Sequence, residues 1–188
     1  MPHPRRVFVP GISWHVRQRG HNGEAVFHDQ EDFTTFLDLV REQAQAADVS
    51  VHGFSVLNTH YHLVVTPNKP GALPSAMQSI DGDYSRYYNR RRNRFGTIWN
   101  GRYKGKPIED DRYWLTCLRY VEQNPVAAGI VTDPGDYHWS SYRVHSGQET
   151  STWIVSHPVF DALGSTDFER HTKYRILCAD GVPLEFGV

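Results

Sequence analysis

The chain is poor in cysteine: 188 residues contain two, Cys117 and Cys178, and no Cys-x-x-Cys pair. That scarcity excludes a disulfide framework and a thiolate zinc site, and leads us to expect a reduced, cytoplasmic protein. There is no surplus of positive charge, because 20 Lys and Arg face 21 Asp and Glu for a formal net charge of −1. A uniformly basic nucleic-acid coat is therefore excluded; a local basic patch is not. No apolar run approaches the roughly 18 residues of a membrane span, so no membrane partner is expected. Met1 to Pro10 lacks the apolar stretch of a signal peptide. What is present is a hydrophobic fraction of 39%, including 13% aromatic residues, enough for a core and too much for intrinsic disorder. The length suits one compact domain with room for a tail. Histidine is abundant at 11 residues, which keeps metal chemistry open.

The near-neutral balance hides an asymmetry. Residues 1–83 carry 6 basic and 9 acidic side chains and residues 107–188 carry 6 and 12, but Tyr84–Lys106 holds 8 basic and none acidic. Tyr84, Tyr87, Tyr88, Phe95, Trp99 and Tyr103 lie in the same segment. Cations interleaved with flat rings suit a nucleic-acid strand: the charges neutralise phosphates and release counterions, and the rings stack on bases at roughly 1–3 kcal/mol each. The candidate DNA-binding residues are Arg86, Arg90, Arg91, Arg92, Arg94, Trp99, Arg102, Tyr103 and Lys104. The competing reading is a solvated helix end whose rings turn into the core. The acidic remainder of the chain would keep such a protein from coating duplex DNA at random.

Along the chain, Ile12–Gln18 alternates, with Ile12, Trp14 and Val16 on one side and Ser13, His15 and Arg17 on the other, as in a half-buried strand. Asp29 is placed to cap a helix reaching Ala47, with Phe33, Phe36, Leu37, Val40 and Ala44 at helical spacing. Val49–Leu57 and Tyr61–Thr66 read as strands joined by a turn at Asn58-Thr59. A second helix spans about Pro74 to Arg91, and a short strand fits within Gly101–Ile108. Asp110 or Asp111 caps a third helix reaching Gln123, where Pro125 stops it. Beyond Gly147 the pattern is weak. Residues 1–146 are read as one domain and 147–188 as a C-terminal appendage of uncertain structure. The order argues for an α+β fold, an antiparallel sheet with helices on one face, and the split βαβ plan is the nearest common arrangement.

Two local features carry chemistry. In His60-Tyr61-His62 the imidazoles are two apart on a strand and share a face, so both can reach one ion. On the third helix Trp114, Cys117, Leu118 and Val121 form the apolar stripe, and Tyr120 falls off it with Thr116, Gln123 and Asn124. Tyr120 and Asn124 are four apart and hence neighbours. A divalent ion polarises a phosphodiester, and a tyrosine hydroxyl can attack it to form a covalent intermediate. Free tyrosine has a pKa near 10, so it needs help from the ion or from a basic neighbour.

These residues, in this order, resemble a known family. Gln18-Arg19-Gly20, His60-Tyr61-His62-Leu63, Tyr88-Asn89-Arg90-Arg91 leading to Trp99-Asn100-Gly101-Arg102-Tyr103, Tyr113 through Tyr120 to Asn124-Pro125-Val126, and Asp136-Tyr137-His138-Trp139-Ser140-Ser141-Tyr142 are similar to the single-tyrosine HUH transposases, in particular the REP-associated tyrosine transposases of bacteria. The likeness runs from about Arg5 to Tyr142. It implies a ferredoxin-like fold with the HUH motif on a central strand. It also implies a Mg2+- or Mn2+-dependent enzyme that nicks and rejoins single-stranded DNA beside REP-like palindromic hairpins, in the cytoplasm at the nucleoid, as monomer or homodimer. By the same resemblance His60 and His62 are metal ligands and Asn124 stands where a third can be supplied. Tyr120 is the nucleophile that forms a 5′-phosphotyrosine. Three positions depart from the pattern. Leu57-Asn58-Thr59 replaces the usual Met-Pro-Asn approach, Tyr61 replaces an aliphatic residue, and Ala127 stands where an arginine is common. The alternatives are a non-catalytic hairpin-binding protein and a metal-dependent phosphoesterase with no covalent step. In the HUH class with two tyrosines, Tyr113 would be the second, but it lies roughly 10 Å along the helix from Tyr120.

Overall fold

A computed structural model describes residues 8–179; residues 1–7, which include the start of the likeness at Arg5, and residues 180–188 lie outside the described part. Four strands, β1 (Ser13–Arg19), β2 (Val49–Leu57), β3 (His60–Pro67) and β4 (Lys104–Ile108), form one sheet in the order β2-β3-β1-β4. All three pairings are antiparallel. Helix α1 (Gln30–Ala47) connects β1 to β2, and α2 (Ala72–Arg91) connects β3 to β4. This is the ferredoxin-like plan expected from the order of elements. Helix α3 (Asp111–Glu122) follows, then the short α4 (Asn124–Ala127), α5 (Tyr142–His145) and α6 (Pro158–Asp161), and finally α7 (Asp167–Ala179).

Local chemistry sets the boundaries. The Asp29 carboxylate accepts from the Asp32 N–H and starts α1, and Asp110 does the same for α3 through the Tyr113 N–H. Gly71, at φ 77°, lets α2 begin at Ala72, two residues before the expected Pro74; a proline is tolerated in the first turn. The β2–β3 turn is the two residues Asn58 and Thr59, closed by the Leu57–His60 pair. The unusual Asn58 has a structural role. Its carbonyl accepts from the N–H groups of Val26 and Phe27, and its amide donates to the Phe27 carbonyl.

Side-chain alternation divides the molecule into two cores. Trp14, Val16, Val56, Tyr61, Leu63 and Val65 face α1 and α2, where Phe33, Phe36, Val40, Leu73, Met77 and Ile80 are buried with them. Val64 and Ile108 belong to a second core with Trp114, Cys117, Leu118 and Val121 of α3. Thus α1 and α2 share one face, as anticipated, and α3 packs on the other. The reason lies in β2 and β3. Both strands are buried along nearly their whole length, so each face needs a cover. Gly53 creates the seat: a Cβ there would stand 2.4 Å from Leu118 Cδ1.

The segment after Gly147 packs onto this frame as far as Ala179. The Val155 N–H donates to the Val51 carbonyl, Trp153 stacks on Phe54 (centroids 5.4 Å apart), and His157 stacks on Trp114 at 4.2 Å. Helix α7 docks on α3 through the fully buried Glu122. That carboxylate accepts from Tyr174 Oη (2.6 Å), His145 Nδ1 (2.7 Å) and the Ser141 hydroxyl.

Candidate active site

The site is built on the sheet face that α3 covers. Strand alternation places His60 and His62 of β3 on this face, and the register sets Arg17 of β1 opposite His62 and Arg19 opposite His60. Lys104 and Lys106 of β4 pair with Arg17 and His15, so a cationic row crosses the sheet toward the histidines. Helix α3 brings Tyr120 down from above. The edge of the Tyr120 ring meets His62 at 5.6 Å and His15 at 5.7 Å between centroids. Two residues past the end of α3, Asn124 opens α4, and its Oδ1 lies 3.1 Å from His60 Nε2. The polar stripe of α3 therefore faces the histidine row while its apolar stripe seals the second core. The structure brings His60, His62, Tyr120 and Asn124 together from three elements, β3, α3 and α4. Tyr113, two turns earlier on α3, lies over the β4 end of that row, with the Lys106 ammonium 5.3 Å from its ring centre.

Hydrogen bonds orient both imidazoles. His60 Nδ1 contacts Thr59 Oγ1 at 2.9 Å, and His62 Nδ1 contacts His15 Nε2 at 2.8 Å. For His62 this leaves Nε2 as the atom that could ligate, the arrangement metal-binding histidines use; His60 Nε2 donates to Asn124 Oδ1 at 3.1 Å and would give up that bond to take an ion. Burial pushes the His62 pKa well below its usual value, with neighbouring His15, His60 and Arg17 adding to the effect. Burial also lowers His60 against the opposing Asn124 hydrogen bond, and burial with Arg17 and Lys106 lowers His15 to about 4. Each shift favours the uncharged ring, the form in which an imidazole can ligate an ion. Among the described residues no group of three His, Cys, Asp or Glu side chains is placed to hold a metal. The groups that could hold an ion at this point are two imidazoles, His60 and His62, and the amide oxygen of Asn124. That mixture fits a divalent ion that also keeps waters, and its nitrogen content suits Mn2+ better than Mg2+.

Sequence reasoning missed His15 and Arg17 as members of the site. The signal was their position on the polar side of an alternating strand. It also placed too much of the basic segment in a DNA groove. Arg91 bonds Asp29 (2.7 Å), Glu31 (3.0 Å) and Asp32 (2.6 Å), and Arg92 bonds Asp32 (2.5 Å). These guanidiniums fasten the C-terminus of α2 to the N-terminus of α1, where both helix dipoles favour the arrangement. Arg86 is paired with Asp83. The rings of Trp99 and Tyr103 are buried in the α1/α2 core and cannot stack on a base: Trp99 packs on Phe27, Tyr61 and Tyr84, and its Nε1 donates to the Asp81 carbonyl. Arg90, Arg94, Arg102 and Lys104 form no ion pair with a carboxylate among the described residues. A shallow cleft of about 330 Å³ between α1 and α2 is lined by Glu31, Asp83, Arg86, Tyr87, Arg90 and Arg91, on the side of the sheet away from the histidines.

Comparisons with known proteins bear on the fold and the family. No curated protein matches the chain significantly. Among solved structures, a REP-associated tyrosine transposase bound to a REP hairpin shares its fold, with a TM-score of 0.56 at 18% identity over 85% of this chain and 93% of that one. A crystal structure of a Deinococcus radiodurans R1 protein assigned as a transposase overlaps at a TM-score of 0.45 and 17% identity, over 60% of this chain and 89% of that one. Among the described residues no helix is long and apolar enough to cross a membrane. The family model described as IS200-like transposase matches residues 9–124, which include β1, the His60–His62 pair, Tyr120 and Asn124, and the chain belongs to that family.

Proposed function

We propose that the protein is a metal-dependent transposase that nicks and rejoins single-stranded DNA beside palindromic hairpins through a 5′-phosphotyrosine at Tyr120. The observation that carries this reading is the placement of the Tyr120 ring against His62, two residues along β3 from the His60 that meets Asn124. A nucleophile and a ligand set from separate parts of the chain meet on one sheet face.

The chemistry then follows from the residues. His60 Nε2, His62 Nε2 and Asn124 Oδ1 would hold Mg2+ or Mn2+, which supplies polarisation of the scissile phosphate. Thr59 and His15 keep the two rings turned toward that point. Arg17 and Lys104, beside the histidines on the same face, offer positive charge to the phosphates on either side. Tyr120 Oη attacks phosphorus: the tyrosyl O–P bond forms, the P–O3′ bond breaks, the phenol loses its proton, and the departing oxygen ends as a 3′-hydroxyl. Attack by another 3′-hydroxyl on the phosphotyrosine reverses these bonds and restores the phenol, which is strand transfer rather than hydrolysis.

The test is a cleavage and joining assay with end-labelled stem-loop DNA drawn from the repeats flanking the gene. Mg2+ or Mn2+ is added, and wild type is compared with Tyr120→Phe and His60→Ala. Cleaved and rejoined products in wild type only, lost with chelator, support the reading. Cleavage that survives in Tyr120→Phe refutes the covalent step and favours a phosphoesterase. Binding with no cleavage favours a non-catalytic hairpin-binding protein.

A further inference from the structure

Of the six rings interleaved with the basic segment, the structure turns all but one inward or onto its own helix face. Tyr84, Tyr88, Trp99 and Tyr103 are buried, and Tyr87 packs against the same core while its hydroxyl donates to Asp32. Phe95 is the exception. It is 90% exposed, the most exposed large hydrophobic side chain among the described residues. A lone exposed ring is ordinary on a protein surface; what sets this one apart is the turn that holds it and the cations beside it.

The segment that presents Phe95 is fixed. Asn93 takes a left-handed φ of 48° just past α2, and Gly96 takes 90°. The Arg94 N–H donates to the Asn89 carbonyl (3.0 Å), and the Asn89 side chain donates to the Gly96 carbonyl (2.8 Å). The ring is therefore carried at the tip of a pinned turn. Its surroundings are cationic. Arg94 lies against the Tyr88 ring at 5.6 Å and forms no ion pair with a carboxylate among the described residues, and Arg90 is on the preceding turn of α2. The loop also leads to the site. Trp99 bridges to Gly20, whose N–H donates to the Thr59 carbonyl beside His60, and the Asn100 N–H donates to the Arg19 carbonyl. Phe95 is four positions before Trp99 in the chain, a reach of at most about 14 Å.

We propose that Phe95 is a stacking platform for an unpaired base of the DNA substrate, with Arg94 and Arg90 holding the adjoining phosphates. This rests on the reading of the protein as a single-stranded DNA transposase and adds to it the group that meets the unpaired flank of the hairpin. A flat apolar ring beside unpaired cations is what a strand with exposed bases and regular phosphates would cover, whereas a second copy of this chain would bring the same cations against each other.

The experiment measures binding by fluorescence anisotropy. The probe is a stem-loop oligonucleotide with a short oligo-thymidine flank, and a second probe has the same flank made abasic. Wild type, Phe95→Ala and Phe95→Trp are compared as full chains; the residue is exposed, so folding is not at issue. Phe95→Ala is expected to weaken binding of the thymidine-flanked probe roughly five- to hundredfold, the worth of one stacked base. Phe95→Trp retains binding, and the abasic probe binds wild type and Phe95→Ala equally. Equal affinity of wild type and Phe95→Ala for the thymidine flank overturns the proposal while leaving the transposase reading intact, since joining is read separately. An equal loss on the abasic probe overturns it as well, as does a change in sedimentation showing that Phe95 joins two copies of the chain. Wild type that binds no stem-loop at all overturns both readings.

Discussion

The His15–His62 contact makes a demand that can be measured. His62 is buried, and its Nδ1 meets His15 Nε2 at 2.8 Å. For His62 Nε2 to bind an ion, Nδ1 must carry the proton and donate it to His15. His15→Leu removes the acceptor and leaves a buried N–H unpaired, at a cost of about 1–3 kcal/mol, or roughly five- to 150-fold in any equilibrium that requires this tautomer. Loss of an outer partner of a ligating histidine typically weakens metal binding by about 10- to 100-fold, so the two estimates coincide. Titration calorimetry with Mn2+ should show that loss in His15→Leu, and partial recovery in His15→Gln, whose amide oxygen accepts a hydrogen bond. Thermal unfolding without metal serves as the control for folding. If folded His15→Leu binds Mn2+ as tightly as wild type, the assigned tautomer and the ligand role of His62 are both wrong.

Other predictions concern stability and DNA contact. Burial holds His15 and His52 near about 4. Between pH 6.5 and about 4 the unfolded chain therefore binds protons that these rings refuse, and stability falls as the pH drops, by up to roughly 3 kcal/mol for each ring. Asp81, raised to about 6 by burial against hydrogen bonds from Tyr61 and Gln18, works in the opposite direction over about pH 6 to 4. One such group does not offset two, so urea unfolding at stepped pH should show a net decline, and a flat or rising profile would contradict it. Asp32 is fully buried; burial alone would raise its pKa, but bonds from Arg92, the His28 N–H, Arg91 and Tyr87 hold it low. Asp32→Ala is expected to cost about 3 kcal/mol, because it breaks a buried ion-paired network and frees the α1–α2 junction; a loss below about 1 kcal/mol in urea unfolding refutes this. Gly53→Ala drives a methyl into Leu118 and should cost about 1–3 kcal/mol and reduce DNA joining by shifting α3; unchanged unfolding contradicts the packing account. Arg94→Glu should weaken stem-loop binding and flatten its salt dependence, whereas Arg91→Glu should lower the melting temperature through its lost pairs with Asp29, Glu31 and Asp32. Identical salt slopes for Arg94→Glu and wild type would remove Arg94 from the interface.

Much of the frame was readable from the chain. Alternation fixed which side of β1 carried Trp14 and Val16, helical spacing and Asp29 bounded α1, and the Asn58-Thr59 turn set the β2–β3 hairpin. The His60–His62 pair and the spacing of Tyr120 and Asn124 are local signals, and the fold brings them together. What the sequence did not disclose depends on distant partners. Arg91 and Arg92 read as a basic patch because their counter-charges lie on α1, about 60 residues away in sequence. Trp99 and Tyr103 read as candidate stacking rings because an aromatic in a cationic segment has the same local pattern whether it faces water or core. His15 was invisible as a partner of His62 because β1–β3 pairing, not chain proximity, joins them. Helix α7 was weakly patterned because it is anchored by Tyr174 and Cys178, not by a full apolar stripe.

The central claim is that Tyr120 takes up the DNA 5′-phosphate. Wild-type protein incubated with stem-loop DNA and Mn2+ should be trapped under denaturing conditions, digested with protease and nuclease, and mapped by mass spectrometry. The account predicts a nucleotide adduct on the peptide containing Tyr120, absent with chelator and absent in Tyr120→Phe. An adduct on the Tyr113 residue instead, or cleaved DNA with no adduct on any tyrosine, contradicts it.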